Sequence, residues 1–205
     1  MQRLFAALLA LLLALPALAA DAAADETTGI TARYLLMDAN GQAVTNEDFR
    51  GYFQLIAFGY TFCPDICPTT LAEMSVVMGK LGKESERLQP LFITVDPERD
   101  TAAILRDYTA FFHPRIMGLT GSPALVKRAA DNFKVRYEKV REPGSPASQY
   151  AVDHSAGMYL LGPDGRYIRK FGYATPPGVI AERIGEIMAA TEIRPPAPRL
   201  RPGRE

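Results

Sequence analysis

Phe53-Gln54-Leu55-Ile56-Ala57-Phe58-Gly59 runs directly into Tyr60-Thr61-Phe62-Cys63-Pro64-Asp65-Ile66-Cys67-Pro68-Thr69-Thr70, and the reading of this junction decides the fold. The apolar run from Phe53 to Phe58 is short and compact, which suits a strand buried on both faces. From Leu71 the apolar positions Met74, Val77, Met78 and Leu81 recur at helical spacing, and Gly79 and Gly82 weaken the helix toward its end. Leu91 to Val95 is the next strand. Strand, helix and strand in about forty residues make a βαβ unit, with parallel strands and a right-handed crossover. Both cysteines then sit where a buried strand ends and a helix begins, the sheet edge at which ligands and reactive groups collect.

Outward from this unit the pattern continues. Upstream, Ala32 to Met37 reads as a strand and Asp38-Ala39-Asn40-Gly41 as a turn into Gln42 to Val44, a hairpin. Downstream, Ile104, Leu105, Tyr108, Phe111 and Phe112 mark a second helix and Ile116 to Leu119 a short strand. Ser122 caps a third helix with Pro123 in its first position. Glu142 to Gln149, with two prolines, a glycine and two serines, is a loop. Gly157 to Leu161 and Tyr167 to Phe171 flank Pro163-Asp164-Gly165 as a second hairpin, and Val179, Ile180, Ile184, Ile187 and Met188 give a last helix. The expected architecture is an α/β fold of the thioredoxin type, with an N-terminal hairpin and a central mixed sheet flanked by helices.

Composition bounds the function. The 205 residues are 48% hydrophobic and 22% charged, which suits one buried core and excludes a disordered chain. Lys+Arg and Asp+Glu both total 23, so no basic excess marks a nucleic-acid groove. Two cysteines and two histidines are too few for a four-cysteine zinc site or a disulfide scaffold. Residues 1–19 read as a signal peptide: Arg3, then an apolar run from Leu4 to Leu15 too short to span a bilayer, then Ala17-Leu18-Ala19 for the peptidase. Removing Arg3 with the signal leaves 22 basic against 23 acidic residues, a balance that points to no partner. Residues 20–29 read as a flexible lead-in, 30–190 as the domain, and 191–205, rich in proline and arginine, as a disordered tail. Export places the cysteines in an oxidising compartment.

Pro68 fits a first helical turn, which would make Cys67 the N-cap; alternatively Thr70 caps and Glu73 completes a capping box. On both readings a thiol lies near a helix N-terminus, whose partial positive charge stabilises thiolate, the nucleophilic and metal-binding form. On a regular helix the two sulfurs would stand about 40° apart, although Pro64 and Pro68 favour a turn. Such a pair can meet one ion or close a small disulfide loop. A purely stabilising bridge is the weaker reading, because so short a loop constrains the unfolded chain little.

His154, in Asp153-His154-Ser155, reaches the same edge if the strand from Gly157 lies beside the one ending at Gly59. Two thiolates and one imidazole suit copper: sulfur selects Cu(I) and imidazole suits Cu(II). Zinc would want a fourth ligand from an almost exhausted supply. Asp96, ahead of Pro97 on the same edge, reads either as a second-sphere group for His154 or the cysteines or as a turn residue. His113 reads as a helix-end cation favoured by the C-terminal dipole. Met74 and Met78 fall on the apolar stripe and read as core.

Four ordered segments then carry a resemblance: Phe58 to Leu71 with its cysteine pair; Val95-Asp96-Pro97-Glu98-Arg99-Asp100-Thr101; Gly118-Leu119-Thr120-Gly121; and Asp153-His154-Ser155 with Gly162-Pro163-Asp164-Gly165. Together, over about Ile30 to Ala190, they closely resemble the Sco/SenC copper-chaperone family. The resemblance implies a thioredoxin-like fold that binds copper, as Cu(I) or Cu(II), through Cys63, Cys67 and His154. It further implies delivery of copper to the binuclear centre of cytochrome c oxidase subunit II, or reduction of that centre's cysteines. Family members commonly carry a membrane tether, whereas this chain shows a cleavable signal; the expected location is periplasmic, soluble or held at the inner membrane if the signal is retained. In that compartment the thiols need a separate reductant, and the oxidised form should carry a Cys63–Cys67 disulfide.

The rival reading is a thiol-disulfide oxidoreductase using the same pair. Against it, such proteins usually have Cys-x-x-Cys and a proline ahead of the facing strand, whereas here three residues separate the cysteines and no proline lies between Ala147 and Tyr159. A peroxidase of the peroxiredoxin type is weaker still, since its threonine three residues before the reactive cysteine is Tyr60 or Pro64 here.

Overall fold

A short antiparallel hairpin, β1 (Leu35–Met37) with β2 (Ala43–Thr45), leads into β3 (Phe53–Gly59), all of whose residues are buried. Helix α1 (Ile66–Leu81) connects β3 to β4 (Leu88–Thr94), and α2 (Ala102–Phe112) connects β4 to β5 (Met117–Leu119). Next come α3 (Pro123–Asn132) and a separate antiparallel pair, β6 (Tyr137–Val140) with β7 (Ala151–His154). The hairpin β8 (Met158–Leu161) and β9 (Tyr167–Phe171) and the helix α4 (Pro177–Ala190) follow. This computed structural model describes residues 28–146 and 149–191. The signal peptide over 1–19, nearly all of the lead-in and all of the tail beyond residue 191 lie outside the described residues. No helix among the described residues is long and apolar enough to cross a membrane.

The main sheet has the order β5-β4-β3-β8-β9. Strands β3, β4 and β5 run parallel, as the βαβ reading requires, while β8 lies antiparallel to β3 with Met158 opposite Ala57. The sheet is therefore mixed and thioredoxin-like. Phe58 on β3, Phe133 just after α3 and Tyr159 on β8 pack ring against ring at 5.3–5.9 Å, tying the middle of the sheet to α3. Aromatic pairs of this kind are each worth about 0.5–1.5 kcal/mol beyond their buried area. Gln54, fully buried on β3, accepts from the Tyr34 hydroxyl at 2.8 Å and donates to the Asn46 carbonyl at 3.2 Å, so its amide is paired at both ends.

The local readings meet mixed outcomes. Ser122 caps α3 through Leu125 N–H with Pro123 in the first turn, and Met74 and Met78 are core. Helix α1, however, begins at Ile66, with Asp65 in the N-cap position. Cys67 is thus inside the first turn rather than the cap, and the Thr70–Glu73 box is not used. Pro68 is accommodated because the first-turn N–H groups of a helix have no intrahelical partner to lose. His113 ends α2 as expected, yet burial, then the nearby Arg115 charge, push its pKa down, and its Nδ1 accepts from Arg115 N–H at 3.1 Å. It serves as a neutral acceptor, not as a dipole-stabilised cation. The pair β6–β7 had no counterpart in the sequence pattern: Tyr-Glu-Lys-Val is largely exposed, and only Val152 of β7 is buried.

Gly157 is what lets β8 start so soon after β7. Its φ is +115°, and a Cβ there would run into the Phe171 carbonyl oxygen on β9. Replacing Gly157→Ala is expected to cost on the order of 2 kcal/mol or more. A urea-unfolding midpoint equal to that of the unsubstituted protein would show that the turn is not so constrained.

Candidate functional site

The end of β3, the start of α1 and the approach to β8 converge on one point. Because β8 is antiparallel to β3, its first residues lie beside the end of β3, and the segment from His154 to Gly157 is delivered to the cysteine turn. His154 Nε2 stands 3.5 Å from Cys67 Sγ. A reciprocal pair holds the segment in register, with Ser155 N–H donating to the Arg136 carbonyl at 2.9 Å and Arg136 N–H to Ser155 Oγ at 3.1 Å. Tyr60 meets the His154 ring edge-on, with centroids 6.1 Å apart.

Cys67 is buried, and Gly59 makes the space for its sulfur. A Cβ on Gly59 would lie 2.7 Å from Cys67 Sγ and 2.8 Å from the Phe92 ring. Cys63, half-buried in the turn before α1, accepts from Cys67 N–H at 3.4 Å. Asp65 makes no side-chain capping bond, so this sulfur takes the capping role. Both cysteines are free thiols. The trio is close without being a ready-made cluster: among the described residues no three His, Cys, Asp or Glu side chains are arranged to hold a metal ion as they stand.

The two thiols differ sharply in acidity. Burial pushes the Cys63 pKa up, but the backbone N–H groups of Asp65, Cys67 and Ile66, together with the Cys67 thiol, outweigh it, and the net shift is downward. At Cys67 burial dominates and the field of Cys63 adds to it, so its pKa is pushed well up despite a hydrogen bond from Tyr60 N–H. Burial also lowers the His154 pKa, against the raising effects of the Ser155 carbonyl and Asp153. Nδ1 lies 3.2 Å from that carbonyl, which can only accept, so Nδ1 carries the proton and Nε2 presents its lone pair to Cys67.

Asp96, fully buried, fits the turn half of its reading, its carbonyl accepting from Arg99 N–H at 3.2 Å and from Asp100 N–H at 2.9 Å. It pairs with Arg99 and accepts from the Tyr150 hydroxyl at 2.9 Å, and no hydrogen bond joins it to His154 or to either cysteine. Arg99 in turn lies 3.7 Å over the Tyr150 ring and 4.8 Å from the ring of Phe62, the exposed neighbour of Cys63. Asp96 thus anchors a stack that carries Phe62. The carboxylate nearer the thiols is Asp100, which the sequence reading passed over. It accepts from Thr61 N–H at 3.1 Å, Thr61 Oγ1 at 2.5 Å and Thr94 Oγ1 at 2.6 Å, fixing the first turn of the cysteine segment, and its charge helps raise the Cys67 pKa. The available signal was its place at the end of Asp96-Pro97-Glu98-Arg99-Asp100, beside the same sheet edge.

A thioredoxin-like fold with a thiol pair at the strand–helix junction and an imidazole brought in from the facing segment defines the class. A model of the SCO1/SenC family matches residues 22–189, and the chain belongs to that family. The SCO2-like protein of Rickettsia felis is 37% identical over 158 residues, 77% of each chain. Among solved structures, Arabidopsis thaliana ScoI with copper bound shares 34% identity at a TM-score of 0.72, over 78% of this chain and 98% of that one. BsSco, a member of the Sco family of cytochrome c oxidase assembly proteins in which a disulfide switch has been identified, shares 26% identity at a TM-score of 0.60, over 78% and 93%.

The unequal thiols give a direct expectation. In the reduced protein at neutral pH, iodoacetamide should label Cys63 before Cys67, with a rate that rises through a pH lower than that of an ordinary thiol. Peptide mass spectrometry reads the order; equal labelling, or Cys67 first, would contradict the assigned environments.

Proposed function

We propose that this protein is an exported copper carrier that takes copper through Cys63, Cys67 and His154 and passes it on during assembly of cytochrome c oxidase, with subunit II as the acceptor. The observation that carries the reading is the neutral His154 imidazole, its Nε2 lone pair turned toward the buried Cys67 sulfur. It is supported by membership of the SCO1/SenC family and by the copper-bound Arabidopsis relative. Two sulfurs and one imidazole nitrogen form a donor set suited to both Cu(I) and Cu(II). Cys63 offers a thiolate readily, whereas Cys67 must give up a proton as the cargo binds. In release, the half-exposed Cys63 and His154 are open to an incoming ligand while the buried Cys67 is the last to let go. The domain is 30–190, exported by the leader at 1–19 to the periplasm, where a separate thiol reductant keeps the pair reduced.

A second reading rests on the same asymmetry. An accessible, acidified Cys63 in front of a buried Cys67 suits thiol-disulfide exchange. The Cys63 thiolate would attack a disulfide of the partner, releasing one partner thiolate and forming a mixed disulfide. Cys67 would then attack Cys63 Sγ, freeing the second partner thiol and leaving a Cys63–Cys67 disulfide. Both partner sulfurs are reduced and both of this chain's sulfurs oxidised.

Titration of the reduced protein with Cu(I) under chelator competition separates the readings. One copper per chain is expected, with an affinity that falls by about tenfold or more in His154→Ala, the scale of losing one good ligand or its support. Because the Cys67 proton must leave, binding should be tighter at pH 8 than at pH 6. Unchanged affinity in the variant would remove His154 from the site. No binding, together with reduction of an acceptor disulfide, would favour the second reading.

A further inference from the structure

Tyr60, the residue that follows β3, touches all three members of the proposed site. Its carbonyl accepts from Cys63 N–H at 3.3 Å, and its own N–H donates to the Cys67 sulfur. Its ring stands nearly perpendicular to the His154 imidazole, with planes 84° and centroids 6.1 Å apart. Its hydroxyl oxygen accepts from the backbone N–H of Val152, two residues before His154 on β7. The Arg99 guanidinium lies over the same ring, 5.6 Å from its centroid, and is itself pinned by the Asp96 carboxylate and, at 3.0 Å, by the Tyr150 carbonyl. Tyr60 is buried, so its side chain is fixed at the root by the cysteine turn, at the tip by β7 and across the ring by a held cation.

The imidazole needs such a neighbour. The torsion that turns a histidine ring has broad, roughly two-fold wells, and a half turn would carry Nε2 away from Cys67 and Nδ1 away from the Ser155 carbonyl. The hydrogen bond at Nδ1, at 3.2 Å, is at the long end of the range and holds the ring only loosely. A fixed perpendicular ring limits the same torsion by contact, with the favourable edge geometry of an aromatic pair. We propose that Tyr60 is a positioning residue for His154: its ring keeps the imidazole turned so that Nδ1 meets the Ser155 carbonyl and Nε2 faces the Cys67 sulfur. The use assigned to this brace rests on the proposed copper-carrying role, in which Nε2 is the nitrogen donor. The brace is built into the metal-free protein, so the site is oriented before the cargo arrives.

The test uses the full chain, reduced and metal-free, with nitrogen NMR of the histidine rings at a pH where the imidazole is neutral. In the unsubstituted protein His154 should give two well-separated signals, one from a protonated Nδ1 and one from a bare Nε2. In Tyr60→Leu the two should move toward each other as the ring turns and its tautomers mix, while Tyr60→Phe, which keeps the ring, should match the unsubstituted protein. Cu(I) affinity should fall about tenfold in Tyr60→Leu, the scale of losing an outer partner of a metal-binding imidazole. Added to His154→Ala, the same substitution should cost less than about twofold, because Tyr60 acts through the imidazole. Unmoved nitrogen signals in a folded Tyr60→Leu, or mixing of tautomers in Tyr60→Phe, would overturn the inference. An equal loss of affinity with and without His154 would also overturn it, by making the role one of general packing. Should Tyr60→Leu not fold, through-space NMR contacts between the Tyr60 and His154 rings of the unsubstituted protein decide the matter, and their absence would overturn the brace. Failure of the unsubstituted protein to bind copper would overturn the proposed function, and with it the use assigned to the brace, whatever the nitrogen signals show.

Discussion

The sulfur of Cys67 occupies the space where a side chain on Gly59 would be, and most of the site follows from that arrangement. With that sulfur tucked against Gly59, the last residue of β3, α1 begins at Ile66, so Cys67 falls in the first helical turn and Cys63 in the turn before. It also buries one thiol while leaving the other half-exposed under the helix N–H groups. The antiparallel seating of β8 on β3 completes the arrangement by returning His154 to the same point from the far side of the sequence.

These constraints give the two thiols opposite tendencies within one short turn. Cys63 ionises more easily than an ordinary thiol and is accessible; Cys67 is inclined to stay protonated and shielded. On the proposed reading this is a division of labour in which the outer ligand exchanges and the inner one retains. The same difference would serve disulfide exchange, which is why the pair alone does not define the chemistry. The third group favours the first of the two proposed readings. A neutral imidazole with its proton fixed on Nδ1 by the Ser155 carbonyl adds a nitrogen donor that thiol chemistry does not require.

Much of this was legible in the chain itself. The all-apolar Phe53–Phe58 run, the helical stripe through Met74 and Met78, the Ser122-Pro123 cap and the Asp164-Gly165 turn each agree with the fold that contains them, and local and global preferences point the same way. The placement of His154 depended on one tertiary fact, that the strand after Gly157 pairs with the strand ending at Gly59, and this pairing holds. What was not legible lacked a local signal. Strands β6 and β7 are mostly exposed, and β7 is held by pairing with β6 and by the Ser155–Arg136 exchange, with no periodic pattern to announce it. The start of α1 was misread because Pro68 looks like a first-position residue, whereas the helix tolerates it two positions further in. Asp96 and Asp100 look equivalent in sequence; which one faces Arg99 and Tyr150 and which one holds Thr61 is decided by side-chain direction at the strand end.

The central claim is that two sulfurs and one imidazole from three named residues act together on one copper ion. X-ray absorption at the copper edge of the loaded, reduced protein tests it most directly. The account predicts a coordination shell of two sulfur scatterers and one nitrogen, with the outer-shell pattern of an imidazole that disappears in His154→Ala. A shell of sulfur alone, or of nitrogen and oxygen without sulfur, would contradict it.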